Sequence, residues 1–172
     1  MENNVLTATA PVTAVLTPEG LLEHWQGHRR LTRRLIAAFP EDKLFSHSIG
    51  GMRPFSQMAM ELLGIASPGV YGLATGEWTT MQELLQHTCL TAPANKEELL
   101  QLWDITTVQI NDTWPRIAPE TFPKQIKAFN QYEGTGISSI LYFIDNEIHH
   151  RAQGYVYLRS LGIEPPYFWD RN

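Results

Sequence analysis

Apolar positions recur at alternating four- and three-residue steps in four stretches of the chain, and that period predicts helices. The first runs from Pro18 to about Phe39 and places Leu21, Trp25, His28, Thr32, Leu35 and Phe39 on one face. Thr17 suits the N-cap, Pro18 the first helical position and Glu19 the positive end of the helix dipole, while Pro40 stops the run. A second follows Ser48, beginning near Met52 after Gly50 and Gly51, with Met52, Phe55, Ala59, Leu62 and Ile65 as its stripe. Starting there, it holds Pro54 in its first turn, and Ser67-Pro68-Gly69 is expected to close it. From Gly69 to Gly76 the spacing predicts a loop, with Trp78 returning the chain to the core. A third helix is capped by Asn95 and carries Leu99, Leu102, Trp103, Thr106 and Ile110 before Trp114-Pro115. The fourth starts near Ile137 or Ser138, carries Leu141, Phe143, Ile144, Tyr157 and Leu161, and ends at Gly162.

Between these runs, Thr80 and Glu83 have capping-box spacing and predict a short extra helix to about His87. Pro115 to Gly136, with three prolines, reads as irregular chain. Strand alternation and short repeats are not recognisable in the pattern. The expectation is an all-α fold, a four-helix bundle with long connections and a short extra helix. Residues 1–16 are expected to form an N-terminal arm and residues 17–172 a single helical domain.

Composition narrows the function classes. The net charge of −5 argues against a partner bound through a nucleic-acid backbone, which selects for a basic face. The one cysteine, Cys89, has no partner for an internal disulfide, and with only His87 beside it reads as a small buried hydrophobe; a reducing cytoplasm is expected. Met1 to Thr17 has neither a basic n-region nor a sustained apolar run, so no signal peptide and no membrane anchor are expected.

Chemistry is densest between Asp145 and Gly154, where two carboxylates, two imidazoles, an amide and a guanidinium share a helix that also supplies core residues. Asn146, His150, Gln153, Gly154 and Tyr157 fall on one stripe that faces inward. Glu147 and Arg151, four apart in the favourable order, have the pattern of a surface or rim salt bridge. His150 is either an imidazole hydrogen-bonded in the core or a metal ligand through its neutral nitrogen. His24 and His28 can face one ion from one helix, although two histidines do not close a site. Arg53, beside a glycine pair, either presents its guanidinium to an anion or pairs with Glu61 or another carboxylate.

The segment Asn146 to Gly154, continued by Tyr157-Leu158-Arg159, Leu161-Gly162 and Pro165-Pro166, resembles the last helix of the DinB/YfiT-like superfamily, the damage-inducible DinB-like four-helix bundle proteins. Helix order and length extend the resemblance over nearly all of the chain after about Pro18. The resemblance implies a bundle holding a divalent metal, nickel or zinc, on three histidines, one from helix two and two from the last helix at i and i+4. Some members are S-transferases or isomerases dependent on a low-molecular-weight thiol such as bacillithiol or mycothiol; many form homodimers.

Carried over residue by residue, His150 matches the second histidine of the last-helix pair, and the first falls on Asn146. An amide oxygen is a harder and weaker donor than imidazole for either metal. Residues 49–63 contain no histidine, and His47 precedes the helix, so the third ligand has no counterpart; His28, His47, Glu61 or Glu147 would have to replace it. The resemblance therefore implies a lost or altered metal site, in a pocket lined by His28, Arg53, Asn146, His150 and Gln153 with Trp25 and Tyr157 as walls.

Three functions fit these residues. The first is a DinB-like protein binding an unidentified small molecule in a polar pocket at one end of the bundle. The second is a metal-dependent, thiol-dependent S-transferase or a hydrolase, with His150 as surviving ligand and Arg53 or Arg151 holding an anionic substrate. The third is a non-catalytic homodimer in which the aromatic tail Tyr167-Phe168-Trp169 is buried.

Overall fold

The structure is a computed structural model that describes residues 15–79, 83 and 92–172. The short helix expected over residues 80–87, Cys89 and nearly all of the expected N-terminal arm lie outside the described residues.

Helix α1 spans Pro18–Ala38, and Oγ1 of its N-cap Thr17 accepts from the backbone of Gly20 at 3.1 Å. Pro40 then caps a six-residue helix, α2 (Glu41–Ser46), that the hydrophobic pattern does not reveal because it is too short to show a period. Helix α3 is Phe55–Thr75. It starts three residues later than expected, with Pro54 as N-cap, and it does not end at Ser67-Pro68-Gly69.

The expected loop from Gly69 to Gly76 is instead the last two turns of α3, with Pro68 inside the helix. Tertiary packing overrides the local breakers. A Cβ at Gly69 would stand 2.4 Å from Cε2 of Phe143, and one at Gly72 would stand 2.3 Å from Cε3 of Trp78. These glycines allow two aromatic rings to approach the helix backbone; Gly76, at φ +79°, ends the helix in the left-handed conformation.

Helix α4 (Lys96–Thr113) is capped reciprocally: Asn95 Oδ1 accepts from Glu98 N at 2.9 Å, and Glu98 Oε2 accepts from Ala94 N at 2.8 Å. Two 3₁₀ turns follow, then an antiparallel hairpin of β1 (Gln125–Ala128) and β2 (Tyr132–Thr135), with Gln125 opposite Thr135 and Ala128 opposite Tyr132. Its turn holds Phe129 and Asn130 at φ of 52° and 57°. The hairpin corrects the all-α expectation; Gln125-Ile126-Lys127-Ala128 alternates, but its partner Tyr132-Glu133-Gly134-Thr135 does not, so the pair gives no matched strand signal. Helix α5 (Gly136–Ser160) completes the fold, with Thr135 as N-cap.

The fold is predominantly helical. Helices α1 and α3 each pack against both α4 and α5, and the hairpin lies over α3 and α5. The core has two lobes. One contains Leu35, Phe39, Phe55, Leu62, Trp103 and Tyr157. The other contains Trp25, Val70, Ile110, Trp114, Ile140 and Phe143. Leu141, expected in the core, is 43% exposed, one position off the inward stripe of α5. Among the described residues no helix is long and apolar enough to cross a membrane.

Candidate functional site

Glu61 of α3 is the point on which the polar residues of α5 converge. Its Oε1 accepts from Nδ2 of Asn146 at 3.3 Å and faces Nε2 of His150 at 3.1 Å; Oε2 accepts from Nη2 of Arg53 at 2.6 Å. The helical period puts Asn146 and His150 one turn apart on the same face, so one carboxylate oxygen reaches both. Gln153 Oε1 meets the other ring nitrogen of His150, Nδ1, at 2.7 Å. Tyr157, fully buried one turn further on, donates from its hydroxyl to the Arg53 carbonyl at 2.9 Å and anchors the segment that carries the guanidinium.

Partial burial works against the charge of Glu61, but hydrogen bonds from Arg53, His150 and Asn146 outweigh it and hold the carboxyl below its usual range. The imidazole of His150 is 9% exposed, whereas Glu61 and Arg53 are open to solvent on one side. Of the expected pocket residues, Arg53, Asn146, His150, Gln153 and Tyr157 are gathered here.

His28 belongs to a second cluster between α1 and α5. Glu147, 1% exposed, accepts from Nε1 of Trp25 at 3.1 Å and from Oγ1 of Thr32 at 2.6 Å. Arg29 Nη1 lies 3.8 Å and Arg151 Nη1 4.0 Å from its carboxylate. The Glu147 and Arg151 pair is therefore buried rather than superficial, because α1 turns a polar face inward to receive it. Arg151 Nη2 donates to Nδ1 of His28 at 2.8 Å. Burial, followed by the charge of Arg151, lowers the His28 pKa to about 3. Burial likewise lowers the Arg29 pKa to about 10, against the pull of Glu147 and Asp104. Trp25, expected as a wall of the His150 pocket, is a donor in this cluster instead. His47 bonds Ser160 Oγ at 2.8 Å and reaches neither carboxylate.

Beside Glu61 opens a cleft of about 490 Å³ between the hairpin, α3 and α5. Glu61 and Asn146 form one end, with Phe129, Tyr132, Glu133 and Tyr142 among its walls. Sequence reasoning missed the hairpin walls. Asn130-Gln131 lacks the glycine that usually signals a tight hairpin turn.

Among the described residues, no group of three or more His, Cys, Asp or Glu side chains is placed to hold a metal ion. The donors that meet at Glu61 are one imidazole, one carboxylate and one amide, with a guanidinium against the carboxylate.

A family model for the DinB family matches residues 1–170. The chain belongs to the DinB family. Solved structures agree with this on fold. A DinB-like protein from Bacillus subtilis is 17% identical with a TM-score of 0.66, covering 86% of this chain and 96% of its own. A DinB family member from Exiguobacterium sibiricum is 21% identical at TM-score 0.65, covering 89% and 98%. A variant of a mycothiol-dependent maleylpyruvate isomerase is more distant, 13% identical at TM-score 0.59, covering 79% of this chain and 60% of that one. No curated protein matches significantly. Outside both clusters of this DinB family member, the tail is tied to α1 by Arg34 and Asp170 at 2.9 Å and leaves Tyr167, Phe168 and Trp169 largely exposed.

Proposed function

We propose that this protein is a small-molecule-binding member of the DinB family, in which a hydrogen-bonded ion cluster has replaced the metal centre and the adjoining cleft is the ligand site. The observation that carries the reading is the convergence of Asn146 and His150 on Glu61 Oε1. Glu61 is the α3 side chain that reaches both positions of the last-helix pair. That reach supports reading Glu61 as the stand-in for the helix-two histidine that the family resemblance implies.

The residues do not fit a three-imidazole divalent centre. Nε2 of His150 is turned to Glu61, and the ring's other nitrogen is held by Gln153. A cation between them would displace Arg53 from its 2.6 Å contact or share the carboxylate with a fixed positive charge. Amide donation from Asn146 does not compensate for two missing imidazoles. The Arg53 guanidinium already supplies Glu61 with a counter-charge, which is the part a divalent cation would otherwise play.

The test is elemental mass spectrometry on untagged protein soaked in zinc or nickel, alongside His150→Ala. Metal far below one equivalent in both is expected. Stoichiometric metal that His150→Ala abolishes would overturn this reading and favour a thiol-dependent transferase, the second reading. That alternative draws support from the fold shared with the mycothiol-dependent maleylpyruvate isomerase.

A further inference from the structure

Helix α5 buries the side that carries Glu147, His150 and Tyr157. A helix packed on one side ordinarily turns charged and polar residues outward. The outward line of α5 departs from that. Leu141, Ile148, Ala152 and Val156 share it and are exposed, the three larger side chains at 43%, 37% and 54% in the cases of Leu141, Ile148 and Val156. Asp145 and Arg159 complete the line, and both are exposed. Among the described residues neither side chain has an ion pair or a hydrogen bond. Arg33, Arg34, Arg53 and Arg151, by contrast, all lie against carboxylates.

These residues are arranged symmetrically about Ala152. Ile148 and Val156 stand four residues to either side of it, and Asp145 and Arg159 seven. Steps of four and seven are each close to whole helical turns, so all of them share one face. Laid antiparallel on a second copy of itself, about a two-fold axis through Ala152, the helix brings Asp145 of each copy opposite Arg159 of the other and Ile148 opposite Val156. An isologous interface needs this self-complementarity. The small side chain of Ala152 at the crossing lets the helix axes approach to about 8 Å. The exposed Ile105 and Val108 of α4 have no such complement, because residues 97–113 contain no basic residue.

We infer that the outer face of α5 is an interaction surface whose partner is a second copy of this chain, packed antiparallel with Ala152 on the two-fold axis. Two ion pairs between Asp145 and Arg159 fix the register from the ends. The aliphatic side chains between them leave water on association and supply the attraction. The contact is made by α5 and not by the aromatic tail Tyr167-Phe168-Trp169.

Sedimentation velocity on the full chain, across the micromolar range, tests the assignment. A concentration-dependent equilibrium between monomer and dimer is expected, since one helix face on another is at the small end of specific interfaces. Ala152→Glu puts two like charges on the axis and is expected to give a monomer at every concentration. Glutamate is a good helix former and the position is exposed, so helix content and Tm are expected to match those of the natural protein. Asp145→Arg sets like charges against each other at both ends and is expected to weaken dimerisation by about tenfold or more. Adding Arg159→Asp is expected to restore it. Phe168→Ala with Trp169→Ala is expected to leave the equilibrium unchanged. The inference is overturned by a natural protein that stays monomeric, a dimer that survives Ala152→Glu, a charge swap that does not rescue, or a dimer lost in the tail variant.

Discussion

Nη2 of Arg151 lies 2.8 Å from Nδ1 of His28, and this contact determines where the imidazole carries its proton. A guanidinium only donates, so Nδ1 accepts and the neutral ring is protonated on Nε2. That N–H faces Nε2 of His24 at 3.2 Å. The two histidines one turn apart on α1, which in sequence have the spacing of a metal clamp, form a donor and acceptor pair instead. A metal at Nε2 would require the proton on Nδ1, where Arg151 already donates.

Burial of the same imidazole, reinforced by the charge of Arg151, predicts acid sensitivity. His28 titrates near 6.5 in the unfolded chain and at about 3 in the native protein. Between those values the unfolded state binds the extra proton, so stability falls as pH falls from about 6.5 towards 3, by at most about 1.4 kcal/mol per unit, and is unaffected by this group above 6.5. His28→Gln keeps an acceptor for Arg151 but does not titrate. Urea unfolding from pH 7 to pH 4 is expected to give a shallower loss of stability in the variant; parallel curves would contradict the assignment.

Glu147 is the carboxylate that compensates two buried guanidinium groups, those of Arg29 and Arg151. Glu147→Gln retains the shape and removes the charge, and is expected to destabilise the protein by about 3–5 kcal/mol in chemical denaturation. Thr32→Val removes one donor to that carboxylate and is expected to lose about 1–3 kcal/mol. A loss under 1 kcal/mol for Glu147→Gln would mean that the cluster is solvated rather than buried.

Gly69→Ala and Gly72→Ala test the extension of α3. In an exposed loop either change would be nearly neutral. In the close packing against Phe143 and Trp78, each is expected to lower stability by about 1–3 kcal/mol, read as a fall in Tm, although alanine has the higher helix propensity.

What the sequence made legible depended on periodicity. The α5 stripe through Asn146, His150, Gly154 and Tyr157 was readable because every member sits at a three- or four-residue step, and that stripe placed the cluster partners of Glu61. The caps at Thr17 and Asn95 were readable because a side-chain oxygen serving orphan amides is a local signal. The end of α3 was misread because Pro68, Gly69 and Gly72 have the same composition whether they form a turn or admit an aromatic ring. Only the positions of Phe143 and Trp78 distinguish the two. The burial of Glu147 and Arg151 was hidden for a similar reason: it depends on Arg29 and Thr32, more than a hundred residues away in the chain. The hairpin that walls the cleft is hidden because only one of its two strands alternates, Gln125 to Ala128, and its turn lacks a glycine.

The most direct test of the central claim is to rebuild the metal centre. Glu61→His combined with Asn146→His gives three imidazoles, with His150, on the facing sides of α3 and α5. Nickel titrated into this variant by calorimetry is expected to bind one-to-one and saturably, while the natural protein under the same conditions shows no saturable binding. Equal binding by the natural protein would contradict the replacement of the metal by the Glu61 cluster.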